Sequence, residues 1–436
     1  MVNYHDAYSG ILDFIRMGQT LARRSRDRGT KLWEEQRFDE AIHAWETAMK
    51  RTTKASDRFD IFGNLCMALC DMGKYRNALT YAGQQIELAN KVNNPLMISQ
   101  AYFHLALCNE RVSEYSKSVT YCRYSLQVED AGDKLFGWIH FCLGNAYFGL
   151  SEFPKAWKSY SKSLSLARTR KDVLLEMLVQ SRLGYLFSQL VDHETGLGYC
   201  SKAWDSVNSF GEGSPIVKYK RQIAVFLAIP YRKTGSYNEA MDLCEDAMKV
   251  AMLYGDRQVQ ARCLMVFADI HRKRSDFERA SPRYESAYSI LSETGDRLGQ
   301  AEVLGGMAKT ATCTRNFEQA IELNTKSLDI VQKIGNKLEM LRCHARLQAL
   351  YKVSGETSLS HRHFTVVRQL LDEMELFCGV CDEIIGEKPE KLDALDCGHF
   401  IHNRCIVHLS RSTLGRSGKI RPCPACRRKS SMNPTL

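Results

Sequence analysis

Eight cysteines and histidines near the end of the chain have the spacing of metal ligands. They run Cys378-x2-Cys381, x15, Cys397-x1-His399-x2-His402-x2-Cys405, x17, Cys423-x2-Cys426. A two-residue gap lets both sulfurs of a knuckle reach one ion. Eight donors in four pairs suit two tetrahedral Zn2+ ions with closed nitrogen and sulfur shells. A closed shell leaves no position for an attacking water, so any activity of this segment must come from binding. Two further histidines, His361 and His363, fall on opposed sides of a helical stretch and read as surface residues.

The order of the eight ligands resembles the RING-H2 family. That resemblance implies a cross-brace, with Cys378, Cys381, His402 and Cys405 on one zinc and Cys397, His399, Cys423 and Cys426 on the other. It also implies a shallow apolar groove for a ubiquitin-conjugating enzyme, matched here by Val380 and Pro424. Arg427, directly after the last ligand, matches the cation that braces a bound ubiquitin thioester. The tryptophan frequent before the seventh ligand in active members is missing from "STLGRSGKIRPCPAC", which bears on ligase activity and not on the fold. Ser430 follows Arg427 and Arg428 and has the charges a basic-directed kinase would read.

The rest of the chain must position this module, and it is repetitive. An aromatic-x-x-small pattern recurs from Phe38, Tyr75, Tyr115, Phe153, His193, Tyr237, Phe277 and Phe317, at steps of 37, 40, 38, 40, 44, 40 and 40 residues. A period this steady marks a solenoid. Each start follows a second helical pattern carrying a small residue, such as Gly144, Gly184 or Ala268, where two helices can approach closely. Leu143, Gly144, Tyr147, Phe153, Ala156 and Tyr160 make a full tetratricopeptide-type signature. Between repeats, "YGDRQVQA", "TGDRLGQA" and "IGNKLEML" offer glycine to end one helix and Asp or Asn to cap the next. His193 and Gly196 depart from the pattern, so repeat five reads as the weakest unit and a flexible point.

The expected fold is therefore an all-α tetratricopeptide solenoid with a small zinc-stabilised RING-H2 domain at its end. The expected boundaries are an N-terminal extension over 1–21, about eight repeats over 22–337, a helical segment over 338–377, the RING-H2 module over 378–426 and a basic tail over 427–436. The helical segment has two readings, a capping pair for the array or a short coiled coil. Leu359 to Phe377 sets Arg362 and Arg368 beside an apolar stripe of Val366, Val367, Leu370, Leu371 and Met374.

Composition narrows the function classes. The 436 residues carry a formal net charge of +10 without a basic tract long enough to argue for nucleic acid, so acidic protein surfaces or anionic lipid are the better partners. No apolar run has the length of a membrane span, and the first residues lack the pattern of a secretory signal, which points to the cell interior. Ten of the 16 cysteines lie outside the metal module, among small and apolar residues, and read as buried inert thiols.

The phrases "LGNAYFGLSEFPKAW", "FADIHRKRSDFERASPRYESA", "GDRLGQAEVLGGMAK" and "CGVCDEIIGEKPEKLDALDCGHFIHNRC" resemble the rapsyn family, from about Arg28 to the C-terminus. The resemblance implies a peripheral scaffold at the cytoplasmic side of the postsynaptic membrane that clusters nicotinic acetylcholine receptors. It further implies repeats that self-associate, a helical segment that contacts the receptor's cytoplasmic loops, and a RING region that contacts cytoskeleton-linked proteins and can act as a ligase. A generic cytosolic RING-type ubiquitin ligase, using its repeats to capture substrate, is the competing class. The family begins Met-Gly and is N-myristoylated, whereas this chain begins Met1-Val2. Met17-Gly18 followed by Arg23, Arg24, Arg26 and Arg28 resembles the family's start, with Ala22 where the acylation motif prefers Ser or Thr.

Overall fold

The computed structural model describes residues 4–128, 133–211, 216, 219–407, 423 and 425–426, with backbone alone for 4–18, 133 and 134. Among these, eighteen long α-helices pair into nine antiparallel hairpins. Helices α1 (Tyr4–Glu34) and α2 (Phe38–Met49) form the first, α3 (Ala55–Asp71) and α4 (Tyr75–Val92) the second, α5 (Pro95–Arg111) and α6 (Tyr115–Leu126) the third. Next come α7 (Asp133–Gly149) with α8 (Phe153–Arg170), α9 (Val173–Gln189) with α10 (His193–Asn208), and α11 (Lys220–Thr234) with α12 (Tyr237–Leu253). The last three are α13 (Arg257–Lys273) with α14 (Phe277–Thr294), α15 (Arg297–Cys313) with α16 (Phe317–Ile334), and α17 (Lys337–Val353) with α18 (Thr357–Glu373). Most helices run 17 or 18 residues, about five turns each, which accounts for the long period. No helix among the described residues is long and apolar enough to cross a membrane.

Local chemistry explains the hairpins. Asp256, Asp296 and Asn336 each accept a hydrogen bond from the backbone N–H three residues on, capping α13, α15 and α17. Gly255, Gly295 and Gly335 before them adopt the left-handed conformation that ends the preceding helix. Gly144 shows why a small residue sits at the hairpin crossing: a Cβ there would stand 2.6 Å from the Tyr160 ring. Tyr160 is fully buried and donates its hydroxyl hydrogen to Asn145 Oδ1 at 2.8 Å.

Two sequence readings change, and of the two readings of the helical segment the capping pair is the one found. The stretch 4–21 is not separate from the array, because α1 runs without a break into the first repeat, where Ala22 and Leu32 are buried. Residues 338–373 form a ninth hairpin, α17 on α18, in step with the others: Thr357 starts α18 40 residues after Phe317 starts α16. Repeat five is a point of tight packing. A Cβ on Gly184 would meet Cys200 Sγ at 2.3 Å and a Cβ on Gly196 would meet Ser188 Oγ at 2.4 Å, so the two glycines bring α9 and α10 together.

The hairpins wind into a superhelix whose successive turns touch. Arg221 donates to Gln36 Oε1 at 2.7 Å. Arg297 reaches Val112 O at 3.0 Å and Glu114 at 2.7 Å, while the Leu298 amide donates to Ser113 Oγ at 3.2 Å. One hairpin further, Asn336 Nδ2 donates to Gly149 O at 2.8 Å and the Leu338 amide to Ser151 Oγ at 2.9 Å. In each case a tight turn within one hairpin meets the start of a helix 183 to 187 residues later.

Asn336 therefore both caps α17 and joins two turns of the superhelix, whereas the exposed Asn316 caps α16 and bonds only Gln319 within that same cap. Asn336→Ala should cost about 2–3 kcal/mol and Asn316→Ala about 1 kcal/mol, read by urea unfolding. Equal losses would mean that the cross-turn bond contributes nothing.

Candidate metal centre

The metal-type residues follow directly on α18. A short antiparallel pair, β1 (Leu392–Ala394) and β2 (Phe400–His402), holds His402 and flanks Cys397 and His399. Cys378 Sγ, Cys381 Sγ, His402 and Cys405 Sγ present donor atoms within 4.8 Å of one another, and so do Cys397, His399, Cys423 and Cys426. The eight residues thus form two interleaved groups of four, as a cross-brace requires. Pro424, Arg427 and Ser430 lie outside the described residues. Val380 is half-buried beside the first knuckle, and Ile406 and Val407 after Cys405 are 39% and 47% exposed.

Both histidines are oriented by carboxylates that sequence spacing did not reveal. His399 turns Nδ1 to Cys397 and Cys426, each at 3.4 Å, and Nε2 to Glu375 at 2.5 Å. His402 turns Nδ1 to Cys381 at 3.3 Å and Nε2 towards Glu390 at 3.8 Å. A carboxylate on the far nitrogen fixes the ring and makes the near nitrogen a better metal donor. Cys423 and then Glu375 draw the His399 pKa upward, so a metal ion competes with a proton there and affinity should fall on acidification. Three thiols and one imidazole in each group, with outer carboxylates, fit a closed tetrahedral ion.

The module is docked on the solenoid. The Phe400 ring stands edge-on to Trp157 and Phe187, with centroids 6.2 and 5.8 Å away. Leu392, Phe400 and Ile401 share one core with Leu183, Phe187 and Leu190. The Leu392 amide donates to Asp192 Oδ2 at 2.8 Å, while Asp192 Oδ1 caps α10. Gly398, at φ +88°, lies so close to α8 that a Cβ would stand 2.4 Å from Pro154 O.

Between the concave face of the solenoid and the module runs a channel of about 620 Å³, lined by Tyr185, Arg262, Glu302, Arg342, Ile385 and Glu387 among others. Arg262 pairs with Glu302 at 2.5 Å and Asp296 at 3.2 Å, and Arg232 with Asp269 at 2.6 Å. Burial opposes the Asp269 charge, but Arg232, Lys309 and Arg272 overcome it and hold the carboxyl below its usual range. Lys233 and Lys309 also line the channel. Enclosure by its walls, with Arg232 nearby, pushes Lys233 down to about 7, and enclosure pushes Lys309 to about 8 against the pull of Asp269. His361 is exposed as the sequence suggested, but His363 is not a free surface residue: its Nδ1 lies 2.7 Å from Nδ1 of His344 and its ring stacks on Tyr351.

Glu375→Ala should weaken metal retention at the Cys397/His399/Cys423/Cys426 group by about 10- to 100-fold, read by competition with a chelator. An unchanged affinity would make the carboxylate a bystander.

Comparison with known proteins follows the same division. The family model for the rapsyn N-terminal myristoylation and linker region matches residues 17–96, and a tetratricopeptide model matches 220–293 and 268–333. The chain is 36% identical over 416 residues to the "43 kDa receptor-associated protein of the synapse" of Tetronarce californica, covering 95% of this chain and 98% of that one. It is 37% identical to the protein of the same name from Gallus gallus, with the same coverage. Among solved structures, a Rap protein complexed with the competence and sporulation factor superposes with a TM-score of 0.60 at 10% identity, covering 81% of this chain and 98% of that one. The Rap conjugation regulator of plasmid pLS20, in complex with the Phr* peptide, gives 0.53 at 14% identity, covering 82% and 96%. The solved structures share the solenoid fold, and the full-length identity carries the kinship: the chain belongs to the rapsyn family of 43 kDa receptor-associated proteins of the synapse.

Proposed function

We propose that this chain is a peripheral scaffold at the cytoplasmic side of the postsynaptic membrane, where it gathers nicotinic acetylcholine receptors and links them to cytoskeleton-associated proteins. The observation that carries the reading is kinship along nearly the whole chain with two receptor-associated synaptic proteins. A solenoid offers an extended surface for many weak contacts, and self-association multiplies them through effective concentration. Membrane attachment in this reading comes from acylation of Gly18 after a start at Met17, the residue at which the family match begins.

The receptor contact falls on the outer face of α18, which no following hairpin covers. Val366, Leu370, Leu371 and Met374 pack inward and Val367 lines the channel, so the apolar stripe seen in the sequence is used up by the fold. Leu359 and Phe364 remain 37% and 40% exposed, and Arg368 lies over the Phe364 ring at 5.7 Å. With exposed Arg362 they make a small apolar and basic surface suited to an acidic amphipathic helix in a receptor's cytoplasmic loop. Removing 338–377 would also remove nearly all of α17 and the bond from the Leu338 amide to Ser151, so charge reversal is the cleaner test. On co-expression with receptor subunits in a non-muscle cell, the full chain should convert diffuse receptor into patches. Arg362→Glu with Arg368→Glu should keep the protein's own patches and lose the receptor from them. Patches that never recruit receptor with either chain would refute the reading and favour a generic cytosolic ubiquitin ligase.

The module in this reading is of RING-H2 type and holds two zinc ions. Val380, Ile406 and Val407 supply its apolar surface for a ubiquitin-conjugating enzyme. Metal analysis of the full chain should return two zinc ions, and Cys397→Ser should lower that number and release the module from α8–α10 while the solenoid stays helical. One ion or none in the unmutated chain would exclude the paired-site assignment.

A further inference from the structure

Ten cysteines lie outside the metal module, and three of them converge. Cys66 and Cys70 stand one helical turn apart on α3, and Cys108 faces them from α5. Cys108 Sγ lies 3.4 Å from Cys66 Sγ and 3.6 Å from Cys70 Sγ, and all three sulfurs fall within 4.8 Å of one another. Cys66 and Cys108 are fully buried, and Cys70 is half-buried at the edge of the cluster, where an ion could enter. Leu69, Ala78 and Ala82 line the rest.

We propose that Cys66, Cys70 and Cys108 form a three-coordinate site for a soft monovalent metal ion, Cu(I). A metal–sulfur distance of about 2.3 Å places three sulfurs about 4 Å apart in a trigonal plane, within the range this cluster already shows. Thiolates select soft ions such as Cu(I). No fourth Cys, His, Asp or Glu joins the group among the described residues, which disfavours the four-coordinate shell of structural zinc. Arg111, one turn beyond Cys108, brings positive charge near Cys70 and offsets the excess negative charge of a copper–thiolate centre. Binding involves no redox step: Cu(I) enters and thiol protons leave.

The test uses the full chain, saturated with zinc and titrated with Cu(I) without oxygen in competition with a copper chelator. The unmutated chain should take up about one more Cu(I) than Cys108→Ala or Cys70→Ala, with a thiolate-to-copper ultraviolet band and no loss of zinc. Should Cys108→Ala fail to fold, the half-buried Cys70→Ala alone decides the matter. Equal uptake by the unmutated and variant chains, or uptake matched by zinc release from the C-terminal module, would each overturn the proposal.

Discussion

The architecture depends on the contact between a tight turn in one hairpin and the start of a helix one superhelical turn later. Each hairpin turn exposes backbone carbonyls and short side chains that a single repeat cannot satisfy. Val112 O, Ser113 Oγ, Gly149 O and Ser151 Oγ all find partners about 185 residues onward. A solenoid held only by nearest neighbours could vary its pitch, since each repeat contributes its own small rotation. Here the cross-turn bonds fix that rotation, because donors at Arg297 and Asn336 must arrive at carbonyls fully determined by repeats three and four.

The C-terminal module uses the same device. After the contacts at Gln36, Ser113 and Ser151, the next hairpin turn in the series is Leu190–Asp192, and there the partner is the module. Leu392 binds Asp192, Gly386 packs on Leu190, and Phe400 fills the space beside Phe187 and Trp157. The module stands where a further repeat would stand. Val191 in this turn adopts a left-handed φ of +67°, a conformation that a β-branched side chain adopts only under constraint. The same left-handed position recurs at Gln36, Ser113, Ser151, Ser275 and Arg315, so the turn shared by the hairpins imposes it, while Asp192 beside it caps α10 and holds β1. The departure of repeat five at Gly196 serves the close packing of α9 and α10.

This placement couples the metal centre to the solenoid. Glu375 sits just beyond α18, and its left-handed backbone, at φ +58°, turns the chain so that its carboxylate meets His399. One of the two donor groups therefore takes its outer carboxylate from the turn that ends the helical array. Glu375 thus ties the Cys397/His399/Cys423/Cys426 donor group to the end of the array, and the module covers the apolar face made by Trp157, Phe187 and Leu190.

The sequence by itself determined everything that local spacing encodes. The period of the aromatics set the hairpins, the Gly-Asp and Gly-Asn pairs set the helix ends, and the eight Cys and His positions set the donors, whose division into two groups the RING-H2 resemblance implied. The spacings rest on residues a few positions apart or on a steady period. The tertiary structure alone decided the rest. Nothing within a few residues of Glu375, Glu390, Asp192 or the cysteines at 66, 70 and 108 announces their partners. The partners lie 12 to 200 residues away in the chain, where only the folded arrangement brings them together. The stripe on α18 shows the same limit. Its helical spacing was plain in the sequence, but whether it faces a receptor or the core depended on what α17 and the module left uncovered.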